Sequence, residues 1–576
     1  MYIYIHLYIY IVMKLKIIIV GGGIAGLSAA TILSDIPGLE IIIYEKEPQL
    51  GGQAASIQTE ICNIEYSWRI YGGNYHNLMY IFSEKLNILK NFKKLEGNCF
   101  VENDTISDST LNFYPLMSKL FETIPFKNYY KYTDFFFLDR DRIMRDYDIN
   151  AYEYFDKNPI VQTILGPFLG MDANKVSLSG AMKNMYAALS RKKYYFSTKK
   201  ALLTINPTTI SILNHWEKYL INKGVSIYKN SSIENISVEN NKITNITINQ
   251  NVVSADEFIF ALSIKQVNKL FENKYKSNTL NNMKLLENDL QLYFTINIYF
   301  SKEITDVVCP QSIIVDMPWL PIIQRKLSWS KDVMDKCYIN NQKIKEVWNV
   351  GFLDYNKGKF NNKILSECSL EEAIKEGLMQ VKENNYTKSL FTKMGVTFDD
   401  IYIGCEHWYQ FKNNSNGKLI TTNPKFSINV NTMKYMPNAA NKDMPTNLNL
   451  CGYYVYNSFG GVSMEASCET GLLAGKNIIN KYSLKYNEIL PIKHDNKKLV
   501  PYFIDYTAPL VFLDSILFYF NLPSVIKFVN SFYLLIVYFA LLIVITIYIL
   551  YKLFTNILYK YNNRKPRKSR LKQRNN

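Results

Sequence analysis

The sequence is poor in the residue patterns that build metal centres and disulfide-stapled folds. It contains five histidines and eight cysteines among 576 residues, and no two cysteines form a C-x-x-C pair. No histidine stands at a ligand spacing from another histidine. Zinc sites and disulfide frameworks rely on such spacings. We therefore expect neither a metal site nor a disulfide framework.

The excess of positive over negative charge is also small outside the C-terminal end of the chain. Half of the formal net charge of +16 belongs to the last 17 residues, which carry eight Lys or Arg side chains and no acidic one. A basic tail beside an apolar segment more often contacts anionic lipid head groups or sets membrane topology than it binds nucleic acid. We therefore expect membrane lipids, and no nucleic acid, as partners.

One long apolar run precedes this tail. Residues 531–551 contain no charged side chain, and a helix of this length spans about 30 Å, the thickness of the hydrocarbon core of a bilayer. We therefore predict a transmembrane helix at residues 528–552, a basic tail at 553–576, and a membrane protein with a single C-terminal anchor. A buried helix of a soluble domain is the alternative, although helices that are apolar on every face over this length are rare.

Two other apolar segments are too short or too interrupted to span a bilayer. In the segment 500–527, the apolar stretch 502–520 is interrupted by two aspartates and a proline, so we expect the segment to lie along the membrane surface or to pack on the main domain. Residues 1–12 lack a basic n-region before the apolar run, and we interpret them as an upstream extension, with a signal anchor as the alternative. The orientation in the membrane stays open, because a cytoplasmic tail and a cytoplasmic N-terminal domain are both consistent with the charges.

The strongest motif follows a short apolar strand near the N terminus. Residues 15–20 form a β-branched run typical of a strand buried on both faces, and a G-x-G-x-x-G motif comes directly after it. Its three glycines permit a sharp turn, let the backbone approach a pyrophosphate and bring the next helix close to the strand. The phosphates would then bind at the N-terminal end of that helix. The candidate residues are Gly21, Gly23, Ile24, Ala25 and Gly26.

A second strand supplies the acid that this motif requires. Residues 40–44 form an apolar run, and Glu45 follows it about 20 residues after the glycine motif, where an acid accepts hydrogen bonds from the adenosine ribose. Gly51, Gly52 and Gln53 come next in the sequence.

This continuation resembles the E-x-x-x-x-x-G-G-[R/K] loop of the FAD-binding amine oxidase and carotenoid desaturase superfamily, in which the loop runs under the cofactor. The resemblance implies that the cofactor is FAD and that Gly51, Gly52 and Gln53 contact it. Gln53 departs from the pattern, because the superfamily usually has Arg or Lys there. A charge contact from this position to the pyrophosphate is therefore lost.

A second stretch, residues 65–77, is similar to the E-x-x-x-H-x-x-x-G-x-Y-x-N segment of phytoene and ζ-carotene desaturases. It matches at Glu65, Gly73, Tyr75 and Asn77, and Arg69 stands where those enzymes often have His. In the family this segment lies beside the flavin ring. The resemblance makes Arg69 a candidate catalytic residue, which would place a fixed positive charge near the reduced, anionic flavin. A salt bridge between Arg69 and Glu65 is an equal alternative.

The third stretch lies late in the chain, where a strand and turn at 448–452 are followed by the opening of a helix at 460–466. It resembles the closing G-D-x-T…S-M-E-G-A segment of the superfamily, whose N–H groups at a helix N terminus bond the flavin. Tyr453 replaces the usual Asp, and Glu465 is either a first-turn acid or a flavin neighbour. The candidate cofactor contacts are Gly452, Val462, Ser463 and Met464.

The predicted fold is α/β, with a Rossmann-like FAD-binding domain, an inserted α+β substrate domain and the C-terminal transmembrane helix. Short strands between residues 224 and 262 resemble the middle of the FAD domain, in which the backbone at Ile233 would hold the adenine. The predicted FAD domain is discontinuous and comprises residues 13–85, 200–270 and 435–480. The predicted substrate domain comprises residues 86–199 and 271–434.

These features indicate an FAD-dependent oxidoreductase. A desaturase or dehydrogenase that transfers hydride from an apolar, isoprenoid or polyene-like substrate to flavin N5 fits the desaturase-like segment and the membrane helix. The sequence leaves open whether the electron acceptor is oxygen or a quinone. One alternative is a flavin amine oxidase that produces peroxide. Another is a non-enzymatic lipid carrier similar to Rab escort proteins and GDP-dissociation inhibitors, although the intact glycine motif and Glu45 favour a working cofactor site.

Overall fold

The structure is a computed structural model. It describes the following residues: 15–67, 69–72, 75–94, 99–102, 105–108, 148–158, 172–181, 183, 202–304, 311–314, 316–326, 329–488, 490–491, 546–548 and 550–555. The chain forms two compact units, one of residues 1–124 and 140–497 and the other of residues 125–139 and 498–576.

The predicted membrane segments fall mainly outside the described residues. Of the predicted span at 528–552, only 546–548 and 550–552 are described, and these are helical with exposed side chains. Among the described residues, no helix combines the length and apolar character needed to cross a bilayer. The extension at 1–12, the segment at 500–527 and the tail beyond residue 555 also lie outside the described part. The described structure therefore gives no support for the predicted transmembrane helix.

Among the described helices of the first unit, the first and the last pack on each other, and the last is the longest. In chain order these helices are α1 (Ile24–Ser34), α2 (His76–Tyr80), α3 (Ala151–Tyr154), α4 (Asn214–Asn222), α5 (Ile264–Phe271), α6 (Asn278–Leu286), α7 (Lys331–Met334), α8 (Leu370–Glu383), α9 (Asn385–Lys393), α10 (Phe398–Ile401), α11 (Thr432–Tyr435) and α12 (Met464–Lys481). Helices α1 and α12 can approach closely because Gly471 has no side chain. A Cβ atom at this position would lie only 2.1 Å from the carbonyl oxygen of Ala25. Glycine at this position thus fixes the packing of the two helices.

A parallel five-stranded sheet forms the centre of the predicted FAD domain. Its strands are β1 (Leu15–Val20), β2 (Leu39–Tyr44), β9 (Ser226–Tyr228), β13 (Glu257–Phe260) and β25 (Leu448–Leu450). They lie in the order β25-β13-β1-β2-β9, and every pairing is parallel. The first strand is central, the second and third lie on one side of it and the last two on the other, which is the strand order of a Rossmann fold. The apolar run of β1 is buried because both faces of the sheet are covered.

A mixed seven-stranded sheet forms the centre of the predicted substrate domain. Its strands are β6 (Cys99–Glu102), β7 (Thr105–Asp108), β15 (Tyr293–Phe300), β16 (Gln311–Ile314), β17 (Ile322–Arg325), β20 (Glu346–Leu353) and β21 (Tyr402–His407). They lie in the order β21-β15-β20-β17-β16-β6-β7. All eight residues of β15 and all eight of β20 are buried, and α8 and α9 contribute apolar side chains to the same core.

The remaining strands form smaller sheets around these two centres. Three of them, β10 (Ile233–Glu239), β11 (Lys242–Ile248) and β12 (Asn251–Val253), make an antiparallel meander. The others form the pairs β3 (Ser56–Gln58) with β4 (Asn63–Glu65), β5 (Phe92–Lys94) with β8 (Leu202–Thr204), β14 (Leu290–Gln291) with β24 (Lys425–Phe426), β18 (Tyr338–Ile339) with β19 (Gln342–Lys343), and β22 (Phe411–Asn413) with β23 (Leu419–Thr421).

One disulfide joins Cys62, beside strand β4, to Cys337 of the predicted substrate domain. This bond could not be predicted from the sequence, because the two cysteines are 275 residues apart and no spacing rule connects them. We expected no disulfide framework, and this expectation did not include the single bond between Cys62 and Cys337.

Candidate cofactor site

The glycine motif forms a turn between β1 and α1 with open space at the helix start. Gly23 is the N-cap residue of α1, and a Cβ atom placed on it would meet no atom within 4 Å. In contrast, a Cβ atom on Gly26 would lie 2.0 Å from the carbonyl oxygen of Gly21. Ile24 and Ala25 form the first helical residues. The turn therefore combines tight packing behind the helix with an open face in front of it, which fits a bound pyrophosphate.

Glu45 lies directly beside this turn. It is 5% exposed, and its two carboxylate oxygens accept hydrogen bonds from the N–H groups of Gly22 at 2.6 Å and Glu47 at 2.9 Å. Burial raises the pKa of Glu45, although these hydrogen bonds act in the opposite direction. The carboxylate is thus held in one orientation with lone pairs left to accept from ribose hydroxyls.

The segment that leads to Ile233 runs along the same edge. The N–H of Ser231 donates to the carbonyl oxygen of Glu45 at 2.8 Å, and Ile233 begins β10 two residues later. This places the predicted adenine-binding backbone next to the predicted ribose-binding acid.

The second glycine pair packs against the first. The N–H of Gly51 donates to the carbonyl oxygen of Gly22 at 2.8 Å, and Gly51 forms a parallel bridge with Gly23. Gly51 has a φ of +111°, a backbone conformation that L side chains rarely adopt. A Cβ atom on Gly52 would lie 3.5 Å from the Cα atom of Gly23. The two glycine loops therefore lie side by side, as expected for a loop that runs under the cofactor.

Gln53 extends this loop, but its side chain contacts the predicted substrate domain. The Nε2 group donates to the carbonyl oxygens of Asn423 at 2.8 Å and Pro424 at 3.5 Å. No sequence signal identified these two residues, which lie 370 residues further along the chain.

Arg69 does not form the salt bridge with Glu65 that we weighed as an alternative. The buried carboxylate of Glu65 pairs with Lys326 and accepts hydrogen bonds from the N–H and the hydroxyl of Thr208 at 3.0 and 2.6 Å. Burial raises the pKa of Glu65, but the charges of Lys326 and Arg69 outweigh it and hold the pKa below its usual value. Lys326 comes from the end of β17, so the sequence could not reveal this partner.

The Arg69 side chain points instead toward the cofactor loop. Its Nη2 group donates to the carbonyl oxygen of Gln53 and its Nη1 group to the hydroxyl of Ser67. Its backbone is fixed by Gln324, whose amide exchanges two hydrogen bonds of 2.9 Å with the N–H and the carbonyl oxygen of Arg69. The Nε atom is buried and has no hydrogen-bond partner in the described part of the chain.

Glu465 joins the desaturase-like segment to the closing segment. Its carboxylate is fully buried and accepts hydrogen bonds from the N–H and side-chain amide of Asn77, each at 2.8 Å, and from the N–H of Leu78 at 2.9 Å. These donors belong to the first turn of α2. Glu465 is therefore a first-turn acid of α12 that caps a second helix, as acids favour helix N termini.

The start of α12 faces the same region. The Ser463 hydroxyl accepts from the N–H of Ala466 at 3.1 Å, and a side-chain hydrogen bond also links Ser463 to Tyr75. Val462, Ser463 and Met464 are half-buried. Gly452 is held by the Thr470 hydroxyl, which accepts from its N–H at 3.0 Å and donates to its carbonyl oxygen at 3.1 Å.

Comparison with known proteins gives matches of two kinds. Residues 19–84 match the model of the NAD(P)-binding Rossmann-like domain. A carotenoid phi-ring synthase from Streptomyces griseus is 49% identical over 43 residues, which amount to 8% of this chain and 8% of that protein. The match therefore spans a small part of the curated relative.

Solved structures match over most of the chain. An oxidoreductase from Methanosarcina mazei matches with a TM-score of 0.54 at 13% identity, and the match covers 81% of this chain and 100% of that one. Cyclohexylamine oxidase from Brevibacterium oxydans matches with a TM-score of 0.51 at 13% identity, and the match covers 82% of this chain and 100% of that one. The chain has the fold of these solved oxidoreductases. The predicted resemblance is thereby confirmed at the level of the fold.

Both departures from the superfamily pattern meet at one place. Gln53 donates to Asn423 and Pro424, and the hydroxyl of Tyr453 also donates to the carbonyl oxygen of Pro424, at 3.3 Å. The ring of Tyr453 stacks on Phe426 with centroids 6.1 Å apart. Residues that replace charged groups of the superfamily therefore hold the segment 423–426 against the predicted FAD domain.

Proposed function

We propose that the protein is an FAD-dependent oxidoreductase that removes hydride from an apolar substrate, as a desaturase or dehydrogenase does. The observation that carries this proposal is the open face of Gly23 at the N terminus of α1, bordered by the fixed carboxylate of Glu45. A ligand with a phosphate and a ribose uses both groups in this arrangement. A Rossmann-like domain within an oxidoreductase fold supports a flavin or nucleotide cofactor.

Different residues of this chain would bind different parts of the cofactor. The first N–H groups of α1 bind the pyrophosphate, Glu45 accepts from the ribose, and the backbone at Ile233 holds the adenine. The N–H groups at Val462, Ser463 and Met464 bond the polar edge of the flavin, where the α12 dipole favours negative charge. FAD, when bound, supplies the hydride acceptor at N5.

The substrate side is rich in buried aromatic rings. The ring of Tyr66 lies 6.0 Å from that of Tyr293 and 5.9 Å from that of Trp408, and all three residues are buried. Tyr66 follows Glu65 and lies three residues before Arg69, so these rings border the predicted flavin neighbourhood. The three rings belong to the buried core of the predicted substrate domain. A site beside this core would exclude water and suit apolar groups, such as those of an isoprenoid or polyene-like substrate.

Membrane attachment is part of the same proposal. The predicted helix at 528–552, which contains the apolar run, would anchor the protein as a single span, with the basic tail on anionic lipid head groups. In the described helical segment near its end, Ile547, Leu550 and Phe554 are each about 60% exposed. An apolar substrate dissolved in lipid would then reach the enzyme from the membrane, and the electron acceptor would be oxygen or a quinone.

A flavin amine oxidase is the second candidate, because the chain shares its fold with cyclohexylamine oxidase. The two activities separate in a single experiment. Detergent-purified protein would be mixed with a polyene or with amines, and flavin bleaching and peroxide release would be followed. Anaerobic bleaching by the polyene is expected. Robust peroxide production from amines would replace the desaturase proposal, and a colourless protein would point to a lipid carrier.

A further inference from the structure

Position 53 lacks the positive charge that the superfamily places in the cofactor loop. Gln53 cannot replace it, because its amide is engaged with the carbonyl oxygens of Asn423 and Pro424. A loop that runs under a pyrophosphate without a cation would bind it weakly, since charge-assisted hydrogen bonds are about twice as strong as neutral ones.

Arg69 places a guanidinium at the main chain of that same residue. Its Nη2 group donates to the carbonyl oxygen of Gln53, so the charge lies beside the loop although it comes from 16 residues further on. The side chain is only 7% exposed. The same loop borders Gly23 through the Gly51 bridge, so the residue that the guanidinium contacts belongs to the loop that packs on the glycine turn.

The charge of Arg69 is only partly balanced within the described part of the chain. Its side-chain partners, Gln53 and Ser67, are neutral, and its Nε atom has no hydrogen-bond partner. Among the described residues, the one carboxylate that Arg69 influences, Glu65, is also paired with the buried Lys326, so these three groups together keep one positive charge in excess. A buried cation without an anion is costly, and folded proteins rarely retain one unless a ligand supplies the negative charge.

We propose that Arg69 provides the positive charge that Gln53 lacks, and that its guanidinium binds an oxygen of FAD that carries negative charge. Compared with the superfamily pattern, the positive side chain then comes from position 69 and not from position 53, but it contacts the same loop. This inference rests on the proposed function, because it requires FAD as the ligand. Arg69 is then first a cofactor-binding residue.

A charge-swap experiment tests the proposal. FAD would be titrated into apoprotein of the parent, R69Q, R69K, Q53R and the double variant R69Q/Q53R, with flavin fluorescence as the readout. We expect R69Q to weaken FAD binding at least tenfold, R69K to weaken it less, and Q53R to restore most of the loss in the R69Q background. The melting temperature of apo R69Q is expected to equal or exceed that of the parent, because the substitution removes the excess buried positive charge.

A titration with ADP, which carries a pyrophosphate but no flavin, identifies the oxygen. Weaker binding of ADP by R69Q assigns the contact to the pyrophosphate, and unchanged ADP binding with weaker FAD binding assigns it to the flavin edge. FAD binding by R69Q within twofold of the parent overturns the inference and leaves the proposed function intact. A lower apo melting temperature without rescue by Q53R also overturns it, because Arg69 would then be structural. Failure of the parent to bind FAD refutes the proposed function itself.

Discussion

Replacing Gly23 with aspartate is expected to abolish FAD binding without destabilising the apoprotein. The backbone at Gly23 has φ −73° and ψ 178°, an extended conformation that any residue adopts. The new Cβ atom meets nothing within 4 Å. Aspartate is also a preferred N-cap residue, so helix α1 gains a few tenths of a kcal/mol relative to glycine.

The loss of affinity follows from the charge placed in the pyrophosphate space. Two unit charges about 4 Å apart repel by about 4 kcal/mol at the effective dielectric constant near a protein surface. This energy corresponds to about a thousandfold weaker binding. Steric overlap of the carboxylate with the phosphates adds to the loss.

Calorimetric titration of FAD into apoprotein, together with thermal unfolding of each variant, measures both effects. Gly23→Ser is the neutral control and is expected to bind FAD more tightly than Gly23→Asp. Gly26→Ala is the packing control, because its Cβ atom would lie 2.0 Å from the Gly21 carbonyl oxygen; it is expected to lose about 1–3 kcal/mol of stability. If Gly23→Asp bound FAD as the parent does, the open face of α1 would not be the pyrophosphate site.

Three further predictions follow from buried carboxylates, and one from the apolar run. Glu465→Ala leaves the α2 donors unpaired, and we expect a lower melting temperature and weaker FAD binding, measured by unfolding and titration. Glu65→Gln leaves the Lys326 charge buried without its partner and is expected to cost about 3–5 kcal/mol in denaturant unfolding, whereas Glu65→Gln with Lys326→Met recovers most of this loss. Burial raises the pKa of Glu45, so this group stabilises the fold least at neutral pH, where its carboxylate is charged. Protonation of Glu45 as the pH falls toward the raised pKa is expected to weaken FAD binding. FAD titrations at several pH values check this, and Glu45→Gln is expected to bind FAD weakly with little dependence on pH. Deletion of residues 528–576 is expected to move the protein from the membrane fraction to the supernatant, and retention in the membrane fraction would contradict the anchor.

The sequence was sufficient for the parts of the fold that local patterns encode. Strand β1, the glycine turn and helix α1 follow one another within about 20 residues, so their spacing determines their geometry. Glu45 could be predicted because it directly follows β2, the strand beside β1 in the sheet. The glycine pair at 51–52 was identified by resemblance, and the structure places it against Gly22 and Gly23.

Contacts between distant parts of the chain could not be predicted from one sequence. The Glu65–Lys326 pair, the bond from Gln53 to Asn423 and the disulfide of Cys62 all join segments more than 250 residues apart. Each depends on how the seven-stranded sheet docks on the five-stranded one. Glu465 shows the same limit, because its position in the first turn of α12 was clear but its role as the cap of α2 was not.

The stoichiometry of FAD binding tests the central claim most directly. Purified full-length protein would be stripped of cofactor and titrated with FAD, while absorbance at about 450 nm reports the bound flavin. We predict one FAD per chain, bound tightly enough to remain through gel filtration. A protein that stays colourless and retains no FAD at saturating concentrations would contradict the assignment of the glycine turn, Glu45 and the α12 N terminus to one cofactor site.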